Sequence, residues 1–222
     1  MIFGDNIRLL LVLAGPLLLS LVLHEFAHAR VALAFGDPTA LRAGRVTLNP
    51  LRHLDPIGTI ALLFVGFGWA RPVPVNRFLL HPPKLGNIMV SLAGPATNLA
   101  LALLAGVSLK ILATLPAANL DSPMGEMIFQ TLLITMGINI ILGLFNMIPL
   151  APLDGHHILG ELLPEHMRYG YAMFQQKFGM MLLMMLILGP RLLSYTSGKD
   201  IPGPIAWVFH HAMGAAVQLL GI

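Results

Sequence analysis

The sequence predicts an all-α polytopic membrane protein, with about five transmembrane helices, a re-entrant segment, and short strands in the loop after the first helix. Three observations carry that expectation. Charged residues make up only 10% of the 222 positions and hydrophobic ones 56%, whereas soluble domains carry roughly 25% charge. Mean hydropathy is +0.80. The apolar residues also run in stretches of ~20 or more, the length a helix needs to cross a hydrocarbon core of ~30 Å.

The first stretch, Ile7 to Phe35, reads as a membrane helix stopped by Gly36-Asp37-Pro38. Leu41 to Leu48 alternates well enough to predict a short strand, and Asn49-Pro50 turns the chain. Thr59 to Trp69 is apolar but interrupted by Gly66 and Gly68. Its length covers about half of the hydrocarbon core at ~1.5 Å per residue, so it is expected to re-enter rather than cross. Trp69 to Asn76 must be extended, because Pro72 and Pro74 forbid a helix interior. The second and third long stretches are Leu85 to Leu115 and Met124 to Leu150, joined by Pro116 to Pro123. A short amphipathic helix is expected over His156 to Leu163, a Met-rich fourth span over Tyr169 to Leu193, and a fifth over Pro204 to Ile222. Residues 1–222 read as one membrane-embedded domain, with a core of about 7–160 and additional C-terminal helices over about 165–222.

Composition excludes several classes. Without cysteine there is no disulfide framework and no thiolate metal site. The net charge of +3 is not interleaved with stacking aromatics, so no nucleic-acid partner is expected. The first apolar run is not followed by a small-residue cleavage site, so it is not read as a signal peptide.

The basic residues set an orientation. Seven of the thirteen Lys and Arg lie at Arg30, Arg42, Arg45, Arg52, Arg71, Arg77 and Lys84. By the positive-inside rule that loop faces the cytoplasm and the N-terminus faces out. The third span then delivers Asp154 to the cytoplasmic side, the side of the C-terminal half of the first helix. A crossing at 59–69 would put Asp154 a bilayer thickness away from that half.

That half carries His24-Glu25-Phe26-Ala27-His28, an HExxH pattern. Histidines four apart leave one helix face together and can share a metal, while the intervening Glu can act on a metal-activated water. Ionisable residues in an apolar span are costly unless they serve a site. A catalytic zinc ion needs three protein ligands and an open position. His24 and His28 supply two, and Asp154, at matching depth, is the expected third. Glu25 is the expected general base. Asn98 and Asn146, both at membrane depth, are candidates for stabilising an oxyanion, or for interhelical hydrogen bonding. His53, Asp55, His156 and His157 are candidates for bracing the ligands. His210 and His211 read as interfacial, and the Met173–Met185 stripe as packing or lipid-facing.

HEFAH at 24–28, SLAGPATN at 91–98 and NMIPLAPLDG at 146–155 together resemble the motifs of the site-2 protease family of intramembrane zinc metalloproteases. The resemblance implies one zinc ion on His24, His28 and Asp154, Glu25 as catalytic base, and a polar role near the site for Asn98 and Asn146. It implies a transmembrane protein substrate in the lipid bilayer, cut near the cytoplasmic side. LNPLRHLDPIGT and GWARPVPVN look like the compact bacterial and archaeal form, which implies a cell membrane of that kind. The eight residues 116–123 leave no room there for a PDZ-like domain. Two other readings compete: a metal-ion transporter, which gives Glu25 no special task, and a homologue that binds membrane helices without cutting them.

Overall fold

The computed structural model describes residues 2–58, 60, 70–114, 122–199 and 201–221. Helix α1 spans Ile2–Ala34, and α2 is a single turn, Thr39–Arg42. Helices α3 and α4 are Pro83–Ala113 and Pro123–Asn146. The short α5, Asp154–Leu162, leads into α6, Glu165–Phe174. A π turn, Gln175–Gly179, joins α6 to α7, Met180–Ser197, and α8 is Pro204–Leu220.

Local chemistry explains the boundaries. α1 ends at Gly36, whose φ of +96° turns the chain out of the helix. α4 starts where the Ser122 hydroxyl accepts the Gly125 N–H, with Pro123 in the first helical position. Both α3 and α8 also open on proline.

Among the described residues, four helices are long and apolar enough to cross a membrane: Leu13–Ala34, Pro83–Ala113, Pro123–Asn146 and Glu165–Ser197. The expected fifth span is not among them. Helix α8 has 17 residues, at the short limit of the length a spanning helix needs. Its Phe209, Met213, Val217 and Leu220 pack on the buried cluster of Ala102, Ala105, Leu109, Met136 and Ile140 between α3 and α4.

The expected strand at Leu41–Leu48 is also absent. Asp37 accepts the Thr39 N–H at 2.9 Å and the Thr39 hydroxyl, starting the helical turn α2. Gly44, at φ +66°, then reverses the chain, and a left-handed residue cannot continue a strand. The described residues hold no sheet, only one antiparallel bridge between Leu54 and Ala70. The proposed re-entrant run lies outside the described residues except for Ile60, and so does most of the connection between α3 and α4.

Helix α3 lies between α1 and α4 and packs on both. Small residues permit the close approach, as is common between membrane helices. Ala29 and Ala32 of α1 are fully buried, and so are Ser91 and Gly94 on α3. This three-helix core brings the middle of α3 against the C-terminal half of α1.

Candidate metal centre

His24 and His28 sit one turn apart on the buried face of α1, with 6% and 7% of their surface exposed. Their Nε2 atoms are 3.0 Å apart. Oδ2 of Asp154, the first residue of α5, lies 3.3 Å from the Nε2 of His24 and 3.4 Å from that of His28. The three residues are the described group able to hold a metal ion.

Hydrogen bonds on the far side of each ring settle which nitrogen is available. Val90 O can only accept, so the His28 Nδ1–H donates to it, at 2.7 Å. For His24 the direction comes through a chain of amides. Thr135 O can only accept, so Asn139 donates to it with Nδ2, at 2.9 Å. Asn139 Oδ1 therefore receives the Asn98 Nδ2–H at 2.8 Å. That turns Asn98 Oδ1 towards His24, whose Nδ1–H donates to it at 2.6 Å. Asn139 Nδ2 also donates to Ser20 Oγ at 2.7 Å, and Ser20 donates to Pro16 O at 2.6 Å. With Nδ1 of each ring taken up by its outward hydrogen bond, the two Nε2 atoms are the ones turned to each other and to a carboxylate, as metal-facing acceptors.

Three acceptors converging in a buried space repel one another unless a cation lies between them. Asp154 Oδ2 is buried and has no hydrogen-bond donor. Ligands on a tetrahedral zinc at ~2.0–2.1 Å stand ~3.3 Å apart, and the three separations here bracket that value. The donor set fits a zinc ion.

Two glycines make the approach possible. A Cβ on Gly94 would strike the ring atoms of His24 and His28, so the AGP turn of α3 is cut away for the imidazoles. A Cβ on Gly155 would strike the carbonyls of Met147 and Ile148. The Gly after Asp154 therefore lets α5 start directly against the preceding loop.

Glu25 points to a different neighbour. Its Oε2 accepts the Val73 N–H at 3.0 Å, in the extended 71–76 segment. Arg45, only 5% exposed, holds the same segment by the carbonyls of Arg71 and Pro72. The buried Asp37 fixes its far end through the Asn76 N–H at 2.7 Å.

The other expected residues fall elsewhere. Asn98 reaches the site through His24, and its amide is taken up by His24 and Asn139. Asn146 Nδ2 donates to Leu142 O, one turn back on its own helix. His53 is buried and bonded to Thr47 O, and its own carbonyl accepts the Arg71 N–H, so it shapes the loop. Asp55 accepts the Gly58 N–H. His156 donates to Leu153 O, and His157 accepts from Arg77. Burial and the Arg77 charge push the His157 imidazole down to about 3, so it is neutral. His211 on the outer face of α8 donates to Trp207 O. Asn139, Ser20 and Arg45 were not singled out by sequence. An Asn in the middle of the apolar α4 was the available signal for the first.

His24, His28 and Asp154 thus form a group that could hold a metal ion, with the Glu25 carboxylate on the same membrane helix. Residues 110–190 match Peptidase family M50. The chain is 44% identical over 166 residues to the "Putative zinc metalloprotease YwhC" of Bacillus subtilis, covering 71% of this chain and 75% of that protein. It is 29% identical over 221 residues to the "Putative zinc metalloprotease Rip2" of Mycobacterium tuberculosis, covering 95% and 79%. It is 29% identical over 155 residues to the "Zinc metalloprotease MJ0392" of Methanocaldococcus jannaschii, covering 70% and 34%. No solved structure matches significantly. The chain belongs to Peptidase family M50 and is an integral membrane protein.

Proposed function

We propose that this protein is an intramembrane zinc endopeptidase that hydrolyses peptide bonds in or near the transmembrane segments of other membrane proteins. One observation carries the reading: three acceptor atoms 3.0–3.4 Å apart, buried against the C-terminal half of a membrane span, with the Glu25 carboxylate next to His24 on the same helix. His24, His28 and Asp154 would hold the ion. Zinc, when bound, supplies Lewis acidity towards water and the scissile carbonyl.

The protein's own groups do the rest. Glu25 Oε2 is anchored by the Val73 N–H, which leaves Oε1 to take the proton of the attacking water and return it to the departing amine. Asn98 keeps the His24 ring in the tautomer that offers Nε2. The peptide bonds of a membrane helix are closed in on themselves, so a substrate must unwind before it can be cut. The extended 71–76 segment beside Glu25 is the proposed platform for the unwound stretch. The strand expected at 41–48 has no such part, since it does not form. By charge distribution the site faces the cytoplasm of a bacterial or archaeal cell membrane, and residues 1–222 act as one domain.

Glu25→Gln tests the reading. Cleavage of a membrane-helix reporter should fall by ~10²–10⁴ while zinc content stays at one per chain. Unchanged cleavage would remove Glu25 from the reaction. Metal flux through vesicles that survives Glu25→Gln, without any cleavage by the parent protein, would favour transport.

A further inference from the structure

Asp154 stands at the end of an irregular loop, and a residue far from the metal ligands holds that loop. Gln175 begins the π turn between α6 and α7 and is 5% exposed. Its Oε1 accepts the Ala151 N–H at 2.9 Å, and its Nε2 donates to Pro149 O at 2.8 Å. One side-chain amide thus satisfies an N–H and a C=O two residues apart, as a neighbouring strand would. The Tyr171 hydroxyl adds a second donor to Pro149 O at 3.2 Å. Gly179 closes the contact from the other side: a Cβ there would lie 2.8 Å from Gln175 Oε1 and 3.0 Å from the Ala151 Cβ. A π turn inserts an extra residue per turn and is common at functional positions. Here it sets Gln175 against the loop.

We infer that Gln175 is a positioning residue for Asp154. By fixing the backbone at 149–151, it sets where the carboxylate meets His24 and His28. The fourth span then belongs to the metal-holding machinery rather than to the lipid-facing periphery. This inference rests on reading Asp154 as a metal ligand.

Two variants of the full chain in detergent separate positioning from packing. Gln175→Met keeps the volume and removes both hydrogen bonds. Gln175→Glu, as a neutral acid, can reproduce both. Zinc is titrated against a chelator, the Co²⁺-loaded protein is examined by its visible absorption, and thermal unfolding is followed in parallel. Gln175→Met should bind zinc about ten- to a hundredfold more weakly and shift the Co²⁺ bands, with Gln175→Glu close to the parent in both. A Met variant with parental zinc affinity and Co²⁺ bands overturns the inference, as does one that simply fails to fold. A Glu variant as weak as the Met variant also overturns it. If the parent chain holds no zinc that Asp154→Asn releases, the ligand assignment itself is wrong.

Discussion

The two halves of the metal site are built by opposite means. His24 and His28 sit inside an unbroken helix, and each ring is pinned from behind by an acceptor on α3: Asn98 Oδ1 and Val90 O. Asp154 is the first residue of the short helix α5 and follows directly on a loop, 147–153. Its position depends on carbonyls packed against Gly155 and on the amide of Gln175, two helices further on. Two ligands within one long helix are held together by its geometry, whereas a ligand at the very start of a short helix also depends on the loop that leads into it. The histidine half should therefore fail locally when changed, and the aspartate half should fail through distant residues as well.

Removing a ligand gives the largest effect. His24→Ala and Asp154→Asn should each bring reporter cleavage to background and release the metal, as measured by elemental analysis of the purified protein. The next test compares the two glycines. Gly155→Ala drives a methyl into rigid backbone carbonyls, and Gly94→Ala drives one into the imidazoles. Overpacking of this kind costs ~1–3 kcal/mol. Gly155→Ala should lower the melting temperature more, because a carbonyl in a tight loop yields less than a side-chain ring. Equal melting temperatures would weaken the contrast between the halves.

Asn139→Ala probes the histidine half from a distance. It strands the buried Nδ2–H of Asn98, at a cost of ~1–3 kcal/mol, and frees the Asn98 amide to turn. Cleavage should drop while Asp154 keeps its place, and Ser20→Ala, which strands the buried Asn139 Nδ2–H, should cost a similar ~1–3 kcal/mol with less effect on cleavage. Both are read from unfolding curves and steady-state rates.

The smallest effect concerns the extended segment. Burial alone would raise the Asp37 carboxyl, but the Thr39 hydroxyl and the N–H groups of Asn76 and Thr39 hold it below its ordinary value. A depressed carboxylate contributes stability above its unfolded pKa and loses it as pH falls through the folded value. The 71–76 segment should thus stay docked at neutral pH and loosen only in acid, below about pH 4. Hydrogen exchange at Val73 and Asn76 across that range measures it, and Asp37→Asn should flatten the dependence.

Much of the site could be read from residue types. HExxH spacing places two imidazoles on one helix face whatever the solvent, and charge distribution put Asp154 at the same depth. The stop at Gly36 and the extended run at 71–76 followed from backbone chemistry. Asn98 was legible as a polar residue facing the site. Its partner Asn139 was not, since an Asn in an apolar span announces only that it has some partner. The expected strand at 41–48 failed because Asp37 nucleates a turn that alternation does not reveal, while the last helix is too close to the length limit for a span count to be read from hydropathy alone.

The sequence by itself determined the membrane environment, the helical class, the His24–Glu25–His28 cluster and Asp154 as its complement. The first three depend on composition or on spacing within one element, and the last on how charge is distributed along the chain. Only the tertiary structure decided the tautomer of His24, the anchoring of Glu25 by Val73 and of the 71–76 segment by Arg45, and the grip of Gln175 on the loop of Asp154. Those are contacts between residues tens of positions apart. Their existence depends on how three helices close on one another, and local sequence does not encode that distance.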